Sequence, residues 1–533
     1  MHCRKIYLLQ AFLLLWPLPF ALGQTLESTT LPLLVIDSKG QEIPDEPKVD
    51  VDLKIIHNQD GTNRPSDPGN EYEGNAGFEI RGSYSASLPQ KPYSFETRDD
   101  LGENLNVELL DMPRENDWIL IANYNDKVFM RNILSFHLFR KMGHYAPRAH
   151  LCEMVLNGDY QGIYVLTEKI KRDKYRVDIA KLDADDNAGD SLTGGYIFMV
   201  DYPDGASWLS AYHNPGYPDA PVYFLPGYPK VKDITNEQYA YLKDMVSEFE
   251  DVLWGDQFMD PSLGYRSYID VNSFIDYFLV SELSRNMDGY KKSRRFFKDK
   301  DSKDPLIYAG PVWDFDWAYK DQEYTMLNGE GWQYSFTGPS DVKPPGWYYR
   351  LLEDPWFAGQ LKCRFLELQQ NLLSYQYLNN YIDSVAVLVE VAQQRHYEKW
   401  PILGRNVGTP ELGSQPQSYD GEVDKFKQWI MERLVWLHYN MPGECVVSEA
   451  ENSLASGPGL RLYPNPATDF LVVESDLAFS EIRIYDASGK VVYTEHCGKA
   501  TFRRIAVDQW SGLFILEVTG TGGTITRERF ISR

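Results

Sequence analysis

The amino-acid sequence predicts an α+β protein with two lobes, followed by a small β-sandwich at its C-terminal end. Three observations indicate this fold. Alternating apolar and polar residues dominate the first half of the chain, and amphipathic helical patterns dominate the second half to about residue 440. Short apolar runs with turns at roughly 10-residue spacing then occupy the last part. With 533 residues the chain is also too long for one core.

The N-terminal residues have the pattern of a secretory signal peptide. A basic start precedes an apolar core between Ile6 and Phe20, and small residues come just before a cut after residue 23. We therefore expect residues 1–23 to be removed on export, and residues 24–46 to form a short strand and a linker. No later run has the length and apolarity of a membrane-spanning helix, so we expect no transmembrane segment.

The first half contains signals for strands and for one helix. GFEIRGSYSASLPQKPYSFETRDD has two alternating runs around a Gly/Ser-rich turn, which predicts two strands joined by a flexible loop. Apolar residues at helical spacing from Phe129 to Phe139 predict a helix that stops at Gly143. Asn157-Gly158 lies between two apolar runs and predicts a hairpin.

The second half is mostly helical around a pair of short strands. Residues Thr235 to Gly255 have one apolar face, a capping threonine and a glycine stop. A second helix, DVNSFIDYFLVSELSRN, ends where NMDG begins, and RRFFKD and LIYAGPVW read as strands. Asp288 is thus predicted in a helix-to-strand loop and Asp314 at a strand end.

Composition excludes several classes of function. The chain has 77 acidic and 53 basic side chains, a net charge of −24, which disfavours nucleic acid as a partner. Four of the five cysteines follow the signal peptide and are widely spaced, so neither a disulfide scaffold nor a zinc knuckle is indicated, although export permits a bridge. There is no phosphate-binding P-loop, no GxSxG and no GxGxxG motif.

The order and spacing of the acids in NMDGYKKS and GPVWDFD fit those of the catalytic and metal-binding aspartates in protein kinases. In protein kinases a catalytic aspartate has an asparagine five residues later, and a metal-binding aspartate follows two further strands. Here Asp288 has Ser293 at the fifth position, and Asp314 follows two predicted strands. The His-Arg-Asp motif is absent and serine replaces asparagine. The alternative is that Asp288 only stabilises an Asx turn.

Five blocks in the expected order resemble the spore-coat protein H (CotH) kinase family, in its bacteroidete surface-protein form. They are GFEIRGSYSASLPQKPYSFETRD, DWILIANYNDKVFMRN, NGDYQGIYVLTEKIKRDKYRVDIAKL, SELSRNMDGYKKSRRFFKDKDS and YAGPVWDFD. The resemblance runs from about Pro47 to about Asn440, within a domain predicted at residues 47–442. It implies an atypical protein-kinase-like fold of two lobes, with ATP and Mg²⁺ (or Mn²⁺) bound between them.

The same resemblance implies roles for individual residues. Asp288 matches the catalytic aspartate and Asp314 the metal-binding one, with Asp316 as an accessory metal ligand or acid. Ser293 stands at a metal-ligand position where spore-coat members often have asparagine. Because a neutral hydroxyl is a poorer ligand for Mg²⁺, this difference bears on catalysis more than on nucleotide binding.

The predicted phosphate clamp comes from the first half of the chain. Arg81 opens the Gly/Ser loop, and Lys91 is the candidate lysine facing the phosphates, although an edge-strand lysine in solvent is the alternative. Arg131, Glu168 and Lys169 belong to the same blocks and are further candidates for the nucleotide site. Glu168 is the expected partner of the clamp lysine. Basic residues also crowd beside Asp288, at positions Lys291, Lys292, Arg294, Arg295 and Lys298.

The C-terminal residues carry a second resemblance. Residues 443–458 form a Ser/Gly linker, and residues 459–533 contain YPNPATDFLVV, IRIYDASGKVVY and TRERFISR. These segments are similar to the type A sorting domain of the type IX secretion system. The resemblance implies export through the periplasm, recognition by that machinery, and secretion or attachment at the outer surface. A plain accessory β-sandwich is the alternative.

Together these signals predict an exported kinase-like protein. It is expected to bind ATP and Mg²⁺ and to transfer the γ-phosphate to Ser or Thr of an extracytoplasmic protein. Two alternatives remain open: an inactive cell-surface protein for adhesion or glycan binding, and a polysaccharide-active enzyme. Retention of Asp288 and Asp314 favours the kinase, whereas Ser293 and export to an ATP-poor compartment favour the inactive surface protein.

Overall fold

The computed structural model describes residues 24–323, 325–335, 342–445, 460–486 and 490–532. The predicted signal peptide and all but the first three residues of the predicted linker lie outside the described residues. None of the helices in the described ranges is long and apolar enough to cross a membrane.

Nineteen strands and ten helices are assigned in these ranges. The strands are β1 Leu33–Asp37, β2 Val49–Ile56, β3 Tyr72–Ile80, β4 Tyr93–Arg98, β5 Val107–Leu109, β6 Met112–Glu115, β7 Asp117–Ala122, β8 Ala149–Leu156, β9 Asp159–Glu168, β10 Tyr196–Val200, β11 Trp208–Leu209, β12 Tyr223–Tyr228, β13 Arg294–Lys298, β14 Tyr308–Ala309, β15 Leu460–Tyr463, β16 Phe470–Asp486, β17 Val491–Ala506, β18 Gly512–Gly520 and β19 Ile525–Ser532. The helices are α1 Tyr84–Ser87, α2 Arg131–Lys141, α3 Gly189–Leu192, α4 Asn236–Trp254, α5 Val271–Ser284, α6 Trp347–Leu351, α7 Pro355–Gln369, α8 Tyr375–Leu388, α9 Ala392–Lys399 and α10 Tyr419–Asn440.

Seven strands of the first third close into a barrel. Their order is β1-β2-β3-β4-β7-β9-β8, with β1 and β8 parallel and the other neighbours antiparallel. Alternation decides what points inward: in β2, Val51 and Leu53 are buried between the polar residues Asp50, Asp52 and Lys54, and Ile55 continues the same face. Closure pairs every strand on both sides, so the barrel presents no free edge.

The predicted hairpin and helix caps are present. Asn157 and Gly158 both have positive φ, 52° and 80°, which a tight turn between β8 and β9 requires. Thr235 caps α4 in a capping box with Gln238, and the helix ends at Gly255. These local features follow from side-chain chemistry alone.

A second sheet and the longer helices form the remainder of the main domain. The sheet has the order β11-β12-β10-β13-β14. Helix α5 is buried from Ser273 to Ser284, and its buried acids Asp276 and Glu282 are paired with arginines of α7 and α10. It packs against α2, α7 and α10. One core cluster runs from the outer face of the barrel, at Ile119 and Val165, to α10.

The predicted two-lobed kinase-like fold is wrong. The first third is a closed seven-stranded barrel, and mixed sheets with helices follow it. In β7, Trp118 and Leu120 fill the barrel while Ile119 joins the core shared with the helices. Both faces of this strand are therefore covered, and a continuous core joins the barrel to the helical part. Open and closed sheets have the same alternation, so the pattern alone did not reveal closure.

The C-terminal β domain agrees with the prediction. Strands β15–β19 pair in the order β15-β16-β18-β19, and β17 pairs with β16. The long strands β16 and β17 change register near residues 474–481, so their two halves contribute to different parts of the domain. Its own core includes Leu471, Ile484, Leu516 and Phe530.

A disulfide closes the end of the main domain. Cys363 of α7 is bonded to Cys445, which follows α10, with the two Cα atoms 4.7 Å apart. The bridge spans 82 positions of the sequence. Cys152 and Cys497 are buried free thiols. Export permits this bridge, but the wide spacing of the cysteines did not identify the pair.

Candidate functional site

The loop that carries Asp288 begins at a left-handed residue. Helix α5 ends at Ser284, and Arg285 takes φ 45°, which turns the chain away from the helix axis. The Arg285 guanidinium donates to the Met326 carbonyl at 2.7 Å and holds the turn. The loop then runs to Ser293 before β13 begins, as the sequence predicts for Asp288.

Asn286 ties this loop to the segment of Asp314. Its Nδ2 donates to the Asp314 carbonyl oxygen at 2.9 Å, and its Oδ1 accepts from the Asp288 backbone N–H at 3.2 Å. The side chain is buried, at 1% exposure. Asn286 therefore sets the separation of the two acidic segments. Sequence reasoning missed it, although it lies in the NMDG motif.

Asp314 and Asp316 form a half-buried carboxyl pair. Their side chains share a hydrogen bond, and Asn125 Nδ2 donates to Asp316 Oδ2. Loss of hydration, followed by repulsion from Asp316, raises the pKa of Asp314 to about 7. Burial likewise raises the pKa of Asp316. Like charges this close cannot both ionise easily, so the pair holds a proton near neutral pH.

The backbone of Asp314 is itself unusual. Its φ is 70°, a left-handed conformation that aspartate tolerates better than most residues. The next residue, Phe315, is buried and donates its backbone N–H to Asn132 Oδ1 at 2.8 Å. Phe315 thus anchors the segment, and the side chains of the aspartates on either side hydrogen-bond each other.

Ser293 lies beside Asp314 and is held by a further acid. Its Oγ donates to Asp314 Oδ2 at 3.1 Å, and its backbone N–H donates to Asp201 Oδ2 at 3.1 Å. The φ of Ser293 is 50°. Asp201 follows the buried strand β10, which neighbours β13. Sequence reasoning missed Asp201, although an acid directly after a strand was a usable signal.

Asp288 completes the acidic group. Its carboxylate is 23% exposed, and Oδ1 lies 3.7 Å from Lys291 Nζ and 3.9 Å from Lys292 Nζ. Burial raises the pKa of Asp288, and repulsion from Asp314 adds to the shift while the lysines oppose it. The structure therefore brings together Asp288, Ser293, Asp314 and Asp316.

Two arginines flank Trp313 next to these acids. The guanidinium of Arg81 lies 5.5 Å from the ring centroid, and that of Arg295 lies 5.9 Å from it. Burial lowers the pKa of both arginines, and attraction to Asp314 opposes that shift. Among the described residues, the Arg81 guanidinium has no hydrogen-bond partner, and Asp314 attracts its charge. Arg295 was noted only as part of a basic stretch.

The loop between β3 and β4 lies against the same acidic segment. The Tyr84 ring packs edge-on against Trp317 at 5.3 Å, and its hydroxyl donates to the Gly408 carbonyl at 2.5 Å. Lys91 is in this loop, where its Nζ donates to the Ala86 carbonyl at 2.8 Å. The Lys91 ammonium thus stabilises the loop that approaches the site.

Arg131 is buried at the start of α2. Its guanidinium pairs with Asp126 at 2.5 Å, and Nε donates to the Ala318 carbonyl at 3.0 Å. Burial is the largest single effect and lowers the pKa of Arg131, but the combined attraction of Asp126, Glu411 and Glu422 raises the pKa above its usual value. These contacts connect the β7–α2 loop to the residues after Asp316.

Glu168 and Lys169 lie at the end of β9 and do not join the acids. Glu168 accepts from Arg148 Nε at 3.0 Å and lies 3.8 Å from Arg176 Nε. Lys169 Nζ is 3.4 Å from Asp117 Oδ1. The structure pairs Glu168 with these arginines rather than with Lys91.

The remaining basic residues divide between interior and site. The Arg294 guanidinium is enclosed by aromatic rings, with the Tyr277 centroid at 4.1 Å and the Phe296 centroid at 4.6 Å. Lys298 Nζ donates to the Thr193 carbonyl at 2.8 Å. These two side chains stabilise the fold, and only the other three of the basic stretch lie beside the acids.

Lys320 is a further cation that sequence reasoning missed. It is buried at 2% exposure, and its Nζ lies 3.4 Å from Glu411 Oε2. Burial and repulsion from Arg131 lower the pKa of Lys320 to about 8. Its charge attracts Asp316, which partly offsets the burial of that acid. No pattern in the sequence distinguishes Lys320 from a surface lysine.

Comparison with known proteins identifies the family. The family described as CotH kinase protein matches residues 78–437, which include every residue of the site. The chain belongs to the CotH kinase family. This CotH kinase family protein is 25% identical over 201 residues to the inner spore coat protein H of Bacillus subtilis (strain 168). The match covers 37% of this chain and 48% of that relative, about half of its length.

A second family matches the C-terminal domain. Residues 461–532 match the secretion system C-terminal sorting domain. The prediction of a type IX sorting domain is thereby confirmed, and the domain indicates export followed by secretion or attachment at the outer surface. The type IX secretion machinery is accordingly a partner of this CotH kinase family protein.

Proposed function

We propose that this CotH kinase family protein binds ATP with Mg²⁺ or Mn²⁺ and transfers the γ-phosphate to a Ser or Thr hydroxyl of an extracytoplasmic protein. The observation that carries the proposal is the convergence of Asp288 with the Asp314–Asp316 pair, beside two arginines on Trp313. Acids for a divalent cation, a base and a cationic clamp are the parts that phosphoryl transfer uses.

The donor set suits a hard divalent cation. Asp314 and Asp316 would hold Mg²⁺ through carboxylate oxygens in place of the proton that they share. The described residues contain no group of three His, Cys, Asp or Glu side chains placed to bind a metal. Mg²⁺ commonly takes one or two carboxylates and completes its shell with phosphates and water. The cation would neutralise charge on the phosphate oxygens.

Asp288 is the proposed base. The acceptor oxygen forms a bond to the γ-phosphorus as the bond to the β-phosphate oxygen breaks, and ADP leaves. The hydroxyl proton passes to the Asp288 carboxylate. Because burial raises the pKa of Asp288, its carboxylate binds a proton more readily than a solvated aspartate would. Lys291 and Lys292 oppose this rise in pKa and so favour the ionised carboxylate.

The arginines are the proposed phosphate clamp. Arg81 offers guanidinium donors that no described residue occupies, and planar guanidinium groups bind phosphate oxygens well. Arg295 approaches the same ring and Asp314 from β13. Nucleotide-binding roles for Lys91, Arg131, Glu168 and Lys169 stay predictions. Of these, Lys91 is in the loop nearest the site.

The test is transfer of γ-labelled phosphate by the purified exported chain, with Mg²⁺ or Mn²⁺ and a panel of protein acceptors. Asp288→Asn should lower the rate about 10²–10⁴-fold with nucleotide binding retained. Asp314→Asn should abolish both transfer and the metal-dependent thermal shift with nucleotide. Asp256→Asn, an exposed acid after α4, is the matched control and should behave as wild type.

If neither the wild type nor the variants transfer phosphate, and none shows metal-dependent nucleotide binding, the kinase proposal is rejected. The protein would then be tested for binding to glycans and host surfaces. Binding of nucleotide without transfer to any acceptor would reject the phosphotransferase part alone. Transfer that survives in Asp288→Asn would reject the role given to that residue.

A further inference from the structure

The sorting domain has a strand that is covered on both faces. In β16, Leu471 and Val473 point into the core of the sorting domain, as period-two alternation requires. Val472 between them points the other way and is also fully buried. An unbroken apolar run in a strand indicates cover on both sides. The second cover comes from the main domain, since Val472 belongs to the core cluster that contains α8 and α10.

Phe502 of β17 makes the same contact. It is 2% exposed and belongs to the core cluster of the main domain rather than to that of the sorting domain. Its ring lies 5.0 Å from that of His438 and 5.4 Å from that of Tyr439, both at the end of α10. The Tyr439 hydroxyl donates to the Phe502 carbonyl at 2.6 Å.

The sorting signature itself takes part. Tyr463 is the first residue of YPNP, and its ring stacks on Tyr375 of α8 with centroids 5.7 Å apart. Its hydroxyl donates to Glu474 Oε2 at 2.7 Å. The cleft that remains between the two domains, lined by Tyr375 and Tyr463, measures about 10 Å³, roughly the space of one water molecule. The two domains are therefore closely packed here.

We infer that α8 and α10 form a docking face for the sorting domain of the same chain, and that this contact keeps Tyr463 covered. The docking face consists of Tyr375, Met431, Leu434 and Tyr439. Its occupant is the sorting domain because the apolar side chains that β16 and β17 turn outward, Val472 and Phe502, meet it. The contact acts as a latch: separation of the domains uncovers an apolar face on the helices and exposes the tyrosine of the signature.

The test uses the full exported chain with a protease site inserted in residues 446–459. After cleavage at micromolar concentration, the sorting domain should co-elute with the main domain in size-exclusion chromatography. Phe502→Ala should weaken binding of the cleaved sorting domain to the main domain at least about tenfold, as for a buried aromatic anchor. Leu477→Ala, at an exposed residue of the neighbouring strand β16, is the matched control and should leave the binding of the two domains unchanged.

A variant on the opposite side separates docking from folding. Tyr439→Ala leaves the sorting domain unaltered and removes both the ring contact and the hydrogen bond to Phe502. It should weaken retention as Phe502→Ala does, and hydrogen exchange in residues 460–475 should increase in both variants before cleavage. The inference is overturned if the wild-type sorting domain separates from the main domain on cleavage, or if both variants bind as tightly as wild type. It is also overturned if the domains pair only between copies, in a concentration-dependent dimer.

Discussion

Replacement of Asp314 by asparagine should make the protein more stable while it abolishes the proposed metal binding. In the folded protein the pKa of Asp314 is raised from 3.8 to about 7. Between these values the folded chain holds a proton that the unfolded chain has released. This carboxyl therefore contributes its whole share to the free energy of unfolding below pH 3.8. The share decreases as pH rises and is lost above about pH 7, where the folded chain must also ionise the buried acid.

The magnitude follows from the same shift. The difference in proton affinity corresponds to about 4 kcal/mol for a fully enclosed group. Because Asp314 is only half-buried, screening by water reduces this, and we expect roughly 2 kcal/mol. Asparagine keeps the shape and an oxygen that can accept from Ser293, but it carries no charge. With a chelator present, Asp314→Asn should therefore be about 2 kcal/mol more stable than wild type at pH 8 and equal to it near pH 4.

The assay is urea unfolding followed by tryptophan fluorescence, at several pH values between 4 and 8. Mg²⁺ should then reverse the order, because it stabilises the wild type by binding to the folded state and leaves the variant unchanged. Asp256→Asn serves as the exposed control. A variant that is less stable than wild type at pH 8, or a difference that does not depend on pH, would refute the account of the carboxyl pair.

Other predictions concern the supports of the site and the end of the main domain. Asn286→Ala should lower phosphate transfer about 10–100-fold by loosening the spacing of the acids, with KM for ATP nearly unchanged; a rise in KM alone would contradict this. Arg295→Ala should instead raise KM for ATP with a smaller change in kcat, and Arg295→Lys should recover only part of the affinity. Cys445→Ser should lower the free energy of unfolding by about 2–4 kcal/mol, which is measured as a lower Tm. A reducing agent should lower the Tm of the wild type in the same way, and equal wild-type Tm values with and without reductant would contradict the prediction.

Local chemistry in the sequence was sufficient for many elements. The alternation in β2, the Asn157-Gly158 turn and the capping box at Thr235 each depend on neighbouring residues. The convergence of Asp288 and Asp314 was expected from order and spacing, and the family match agrees with the resemblance. These features could be predicted because the interactions that produce them are short in sequence or belong to a repeated motif.

Contacts between distant segments decided the rest. Asp201, Asn125 and Lys320 reach the acidic group from separate segments of the chain, and nothing in the neighbourhoods of Asn125 and Lys320 marks them. Glu168 meets Arg148 because β8 and β9 pair in one register, which sequence periodicity does not specify.

The sequence by itself determined several strands, the cap of α4, the acidic motif, the family and the sorting domain. Tertiary structure alone decided that the first strands close into a barrel, that Arg295 joins Arg81 on Trp313, and that Val472 and Phe502 face the helices. The physical reason is that a periodic pattern states which side of a strand must be buried. It does not state which distant surface buries it.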